Sequence, residues 1–166
     1  MNDILNFTSG RTLRPGLVNL AHLVDDVLAD VGSQLRAQGI AVELDVPMDH
    51  VVRGEWTALR AAVLCLVVGA MRTMSDGGQL VVTSHVGPHG AELEIADSGP
   101  GIPETWGTHR FRSRGVFSRK TARLGLTTVE RIAAAHGGYL IAQNCPEGGA
   151  AFTLHFPALP AKKAAA

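Results

Sequence analysis

Asp97 ends an apolar run and opens a glycine-rich turn, in the stretch Ile95-Ala96-Asp97-Ser98-Gly99-Pro100-Gly101-Ile102-Pro103. An ionised carboxylate only accepts hydrogen bonds, so at a strand end it suits the amino group of a flat ring. Gly99 and Gly101 add no side chain that would hold such a ring away from the backbone. The same D-x-G pattern also serves as a plain turn capped by its own Asp, and on these residues alone both readings stand. A second candidate is cationic. Between Glu104 and Arg123 lie His109, Arg110, Arg112, Arg114, Arg119, Lys120 and Arg123, against the one acid Glu104. Such a run is either a solvated loop or a flap that closes over an anion.

The elements that must hold these residues follow from periodicity. Leu17, Leu20, Leu23, Val24, Val27, Leu28, Val31 and Leu35 recur at helical spacing and predict a helix over 17–38, stopped by Gly39. Residues 40–46 alternate as a strand does, and Pro47 ends it. From Trp56 to Met74 a second helix is apolar around most of its circumference, as a helix buried on a sheet must be. Asp76-Gly77-Gly78 is a turn, after which 79–85 and 91–97 predict a hairpin around Gly87-Pro88-His89-Gly90. No periodicity survives from 104 to 123. Residues 124–136 resume helical spacing up to Gly137-Gly138, and 139–143 and 150–156 read as two further strands. The predicted architecture is an α+β two-layer sandwich, with a mixed, mostly antiparallel sheet of about five strands packed on about three helices. Residues 1–16 read as a linker or the end of a preceding helix, 17–157 as the folded unit, and 158–166 as a flexible tail.

Fifteen basic and fifteen acidic residues cancel, so no global field draws the chain to nucleic acid or a membrane surface. Cys65 and Cys145 lie far apart with no zinc-ligand spacing, as expected of buried thiols in a reducing compartment. The N-terminus has no basic start, and the longest apolar run, Ala61 to Met71, is too short to span a bilayer. A cytoplasmic chain, or a cytoplasmic piece of a longer one, is the expectation. His22 reads as a partly exposed helix histidine.

Two stretches in order, Asp97 to Pro103 and Leu124-Gly125-Leu126-Thr127-Thr128-Val129-Glu130-Arg131-Ile132 running on to His136-Gly137-Gly138, resemble the ATP-binding catalytic domain of two-component sensor histidine kinases. That domain belongs to a larger group with gyrase, the ninety-kilodalton heat-shock chaperone and the mismatch-repair ATPase, and shares their Bergerat-type fold. The likeness runs from about Leu17 to Pro157. It implies that ATP or ADP is the ligand, with Asp97 accepting from the adenine amino group and Gly99 and Gly101 packing against the base. It implies that 104–123 is the ATP lid, with Arg119 and Lys120 in its motif, and that Leu124, Gly125 and Leu126 start a helix whose N–H groups face the phosphates. A free helix N-terminus favours anions in any family. The partners it implies are a dimerisation and phosphoacceptor domain and a response regulator. No H-E-x-x-[NT]-P motif occurs, so the phosphoacceptor histidine is expected outside this chain.

The departures lie in the second helix. Where the family writes N-L-L-x-N-A, a basic residue and an aromatic, this chain has Cys65-Leu66-Val67-Val68-Gly69-Ala70-Met71-Arg72-Thr73. Gly69 stands in the place of the magnesium-binding asparagine, which argues against a bound magnesium, and only Arg72 keeps the basic character expected near phosphate. The glycine box is reduced to Arg123-Leu124-Gly125-Leu126. Three functions remain open on the sequence. One is a kinase catalytic domain that passes phosphate from ATP to a histidine. Another is a catalytically silent, pseudokinase-like interaction module. The last is a receptor for another anion, such as a guanine nucleotide or an acidic partner face.

Overall fold

The computed structural model describes residues 13–103, 109–111 and 125–161. In chain order these form β1 (Gly16–Asn19), α1 (Leu20–Ala37), β2 (Ile40–Asp45), β3 (Val51–Gly54), α2 (Trp56–Thr73), β4 (Gly78–Gly87), β5 (Gly90–Asp97), β6 (His109–Phe111), α3 (Leu126–Ala135), β7 (Tyr139–Asn144) and β8 (Ala150–Pro157). Three helices cover one face of a six-stranded sheet ordered β2-β4-β5-β8-β7-β6. Only β2 and β4 pair in parallel; every other neighbouring pair in that sheet is antiparallel. The expected α+β two-layer sandwich is the architecture found.

The differences from expectation are short strands. β1 pairs antiparallel with β3, from Gly16↔Gly54 to Asn19↔Val51, so the first helix starts at Leu20 and not at Leu17. Four-residue strands are too short to show a period of two, and Leu17, on this ribbon, stays 74% exposed. β6 pairs with β7 inside the stretch where periodicity fails. The main sheet therefore has six strands where about five are predicted.

α1 begins where Asn19 accepts from the His22 N–H at 3.0 Å, an N-cap that leaves His22 exposed. Its stripe of Leu20, Leu23, Val24, Val27, Val31 and Leu35 is buried. α2 is the middle helix, touching α1, α3 and β5. Its 18 residues have a mean hydropathy of 1.3, long and apolar enough to cross a membrane, so the short run Ala61 to Met71 understates it. Here Ala58, Leu59, Ala62, Val63, Leu66, Val67, Ala70 and Met71 are buried against protein. Arg60, on α2, forks to Asp26 and Asp30 of α1. In β5, Ala91, Leu93, Ile95 and Asp97 are the buried alternate residues, so strand alternation turns the Asp97 side chain inward with the core.

Candidate functional site

Asp97 is the last residue of β5, paired in register with Leu80 of β4 and Ala150 of β8. It is only 4% exposed, one of three buried polar or charged residues among those described. Its Oδ1 accepts from the Gly99 N–H at 3.0 Å, so the carboxylate shapes the turn that follows it. The turn-capping contact is thus present: Asp97 caps its own turn, and its side chain is buried in the inner layer.

The turn is held on three sides. Gln79 N–H donates to Ser98 Oγ at 2.9 Å, and Ser98 N–H donates to Gln79 O at 3.1 Å. A Cβ at Gly99 would lie 2.9 Å from Asp97 Oδ1 and 3.0 Å from Thr73 Oγ1, so the Gly99 backbone is wedged between strand end and helix end. Gly101 has φ +83, and a Cβ there would lie 2.5 Å from Asn144 Oδ1. Only glycine meets both demands cheaply. Asn144, at the end of β7, binds both backbone groups of Ile102, and the Ile102 side chain is buried.

Opposite the turn stands one face of α2. Helical spacing gathers Ala61, Cys65, Val68, Gly69, Arg72 and Thr73 on one side, all half-buried or exposed, while Ala58, Leu59, Ala62, Val63, Leu66, Val67, Ala70 and Met71 face the core. Arg72 is exposed in the last turn, where positive charge suits the helix C-terminus. Among the described residues, a Cβ at Gly69 would meet nothing within 4 Å. Cys65 touches the start of α3, its Sγ lying 3.3 Å from the Cβ position of Gly125. Gly125 is the α3 N-cap, at φ 104, and no side chain caps that end. Two points of α2 therefore meet the segments that carry the candidate residues: Thr73 meets Gly99 at one end and Cys65 meets Gly125 further along.

Of the predicted site residues, Asp97, Gly99, Gly101, Arg72, Gly125 and Leu126 are described. Leu126 is 4% exposed and belongs to the core, which leaves only its backbone to a ligand. Arg119, Lys120 and Leu124 lie outside the described residues, as does most of the predicted lid. Two contacts had no sequence signal. Asn144 is one. The other is His136, whose Nδ1 bonds Ile132 O at 2.7 Å while its Nε2 accepts from the Glu55 N–H at 3.1 Å, tying the end of α3 to the start of α2.

The α2 face does not suit magnesium, which takes hard oxygen ligands. Its one side-chain oxygen, on Thr73, donates to Ala70 O at 2.9 Å. Burial pushes the Cys65 thiol up, which keeps it protonated and a poor ligand. Among the described residues no three His, Cys, Asp or Glu side chains are grouped to hold a metal ion. On the other face of the sheet, Val81, Ala96, Asp97, Ser98, Cys145 and Glu147 are among the residues lining an open depression of about 420 Å³, so the Asp97 strand end borders it as well. It offers no cation and does not include the α2 face.

Residues 54–160 match the family of histidine kinase-, DNA gyrase B-, and HSP90-like ATPases. The chain is 27% identical over 141 residues to sporulation kinase A of Bacillus subtilis (strain 168), covering 84% of this chain and 23% of that kinase. The chain thus spans about a quarter of that relative's length. Among solved structures, the nucleotide-free catalytic domain of histidine kinase ThkA superposes with a TM-score of 0.76 at 23% identity, covering 89% of this chain and 99% of that one. Histidine kinase ThkA in complex with the response regulator TrrA gives a TM-score of 0.75 at 25% identity, over 98% of this chain and 47% of the kinase.

Proposed function

Because the chain belongs to the family of histidine kinase-, DNA gyrase B-, and HSP90-like ATPases, we propose that it is the nucleotide-binding catalytic domain of a cytoplasmic two-component sensor kinase. It binds ATP or ADP in the cleft between the Asp97 turn and the α2 face. It serves a phosphoacceptor histidine on a dimerisation domain outside these residues, and through it a response regulator. The observation that carries this reading is the buried Asp97 carboxylate at the mouth of β5, with Gly99 stripped of side chain between it and Thr73. A carboxylate there recognises an amino-bearing base, and Arg72 with the uncapped start of α3 supplies positive potential for an anion.

Calorimetric titration of the chain with ATP and with ADP tests the reading. Saturable binding is expected, and Asp97→Asn abolishes it with the fold intact by circular dichroism. No heat at millimolar nucleotide sinks it. A second reading, a silent relative that acts as an interaction module, is favoured by one observation: the α2 face carries Gly69 and Cys65 and no carboxylate or amide oxygen where a metal-dependent kinase needs a ligand. Phosphate transfer to a supplied dimerisation domain separates the two, since only the first reading yields a labelled histidine.

A further inference from the structure

Magnesium bridges and neutralises the phosphate oxygens of a nucleotide, and a protein holds that ion through carboxylate, amide or hydroxyl oxygen. The α2 face offers Ala61, Cys65, Val68, Gly69, Arg72 and Thr73, and its one side-chain oxygen is already hydrogen-bonded to Ala70 O. The absence of a ligand at Gly69 is not a matter of crowding. A Cβ there would meet nothing within 4 Å among the described residues, so they leave room for a ligating side chain that the position lacks. One helical step further on, Arg72 places a full positive charge on the same face. Arginine stays charged at any relevant pH and forks onto phosphate oxygens directly.

We propose, resting on the nucleotide reading above, that this site takes adenine nucleotide as the metal-free polyphosphate, its charge met by Arg72 in place of a divalent cation. Metal-free ATP is more negative than its magnesium complex, so a cation-bearing wall with no carboxylate or amide oxygen favours the metal-free form. Transfer of the phosphoryl group leans on the ion. Such a cleft therefore retains nucleotide better than it discharges it, and the bound molecule acts on the protein as a ligand.

The test titrates the full chain with ATP, ADP and adenosine, once in excess magnesium and once in excess EDTA at matched ionic strength. The expected affinity for ATP in EDTA equals or exceeds that in magnesium, or falls below it by no more than about threefold. Gly69→Asn, whose side chain enters open space, should shift the preference toward magnesium by about tenfold. Arg72→Gln should weaken ATP in EDTA by about fivefold to tenfold and leave adenosine unchanged. An affinity for ATP more than about threefold tighter in magnesium overturns the inference and leaves the nucleotide reading standing. Failure of all three ligands to bind in either buffer overturns both.

Discussion

The side-chain amide of Asn144 clasps the backbone of Ile102 from both sides, accepting from its N–H at 2.8 Å and donating to its C=O at 3.0 Å. The clasp fixes the far end of the glycine turn to β7, a strand that shares no hydrogen bonds with β5. Asn144→Ala removes both bonds and strips two backbone groups of their partners, at a cost of about 1–3 kcal/mol. Urea unfolding measures the loss. If the turn carries the base as proposed, nucleotide affinity should fall with it, since the turn is then held at one end only.

The two glycines that flank Thr73 along the cleft should answer oppositely to the same substitution. Gly69 lies inside α2 with open space around its Cβ position, so Gly69→Ala should stabilise by about 0.5–1 kcal/mol through helix propensity. At Gly99 the added carbon meets Asp97 Oδ1 at 2.9 Å and Thr73 Oγ1 at 3.0 Å. Gly99→Ala should therefore destabilise by about 1–3 kcal/mol. Thermal melts of the two variants beside the parent check both signs.

What the residues announced locally, the structure contains. α1, α2, the β4–β5 hairpin, α3 and the β7–β8 pair are long enough for hydrophobic period to declare them, and the glycine turn that Asp97 opens was legible from its residues. β1 and β3 were not, because four residues half on the surface leave no pattern, and their pairing is set by the strand partner. His136 stood out only as part of the His136-Gly137-Gly138 stretch and Asn144 not at all, and the contacts they make could not be read locally, since their partners Glu55 and Ile102 lie 81 and 42 residues away. The departures at Cys65 and Gly69 were visible as residue types. That Gly69 borders empty space was not, because a sequence carries no volume.

His136 provides a third test. With Nδ1 on the Ile132 carbonyl, its Nε2 is the acceptor for the Glu55 N–H, the N-cap residue of α2, which has no side-chain cap of its own. His136→Leu keeps most of the bulk and removes the acceptor. The expected loss is about 1–3 kcal/mol, read by chemical denaturation. Hydrogen exchange should show faster exchange at the first turn of α2 and the last turn of α3 together, because the imidazole joins them.

Glu130 gives a pH-dependent prediction. It is 6% exposed on α3, and burial raises its pKa, opposed by the positive charge of Arg131. A carboxyl whose folded pKa lies above its unfolded value, near 4.3, loses stability on ionising. In acid both states hold the proton and there is no penalty. As pH rises through the unfolded value and then the raised folded one, the penalty grows and levels off. Glu130→Gln should therefore be more stable than the parent at neutral pH. Its advantage should shrink toward zero as pH falls toward about 4. Urea midpoints across that range decide it, and a pH-independent difference would speak against buried ionisation.

The clasp of Asn144 on Ile102 also sets a timetable. Closing a contact across 42 residues, or 81 for His136 and Glu55, carries a loop entropy that short-range contacts escape, so such contacts form after the local elements. During synthesis the carboxylate at 97 emerges well before the amide at 144 that anchors the turn beside it. A nascent chain stalled between those points has the acidic group and no pocket around it. A ligand that needs the anchored turn can then stabilise only the finished fold, so on the proposed function nucleotide checks completion and does not guide early folding.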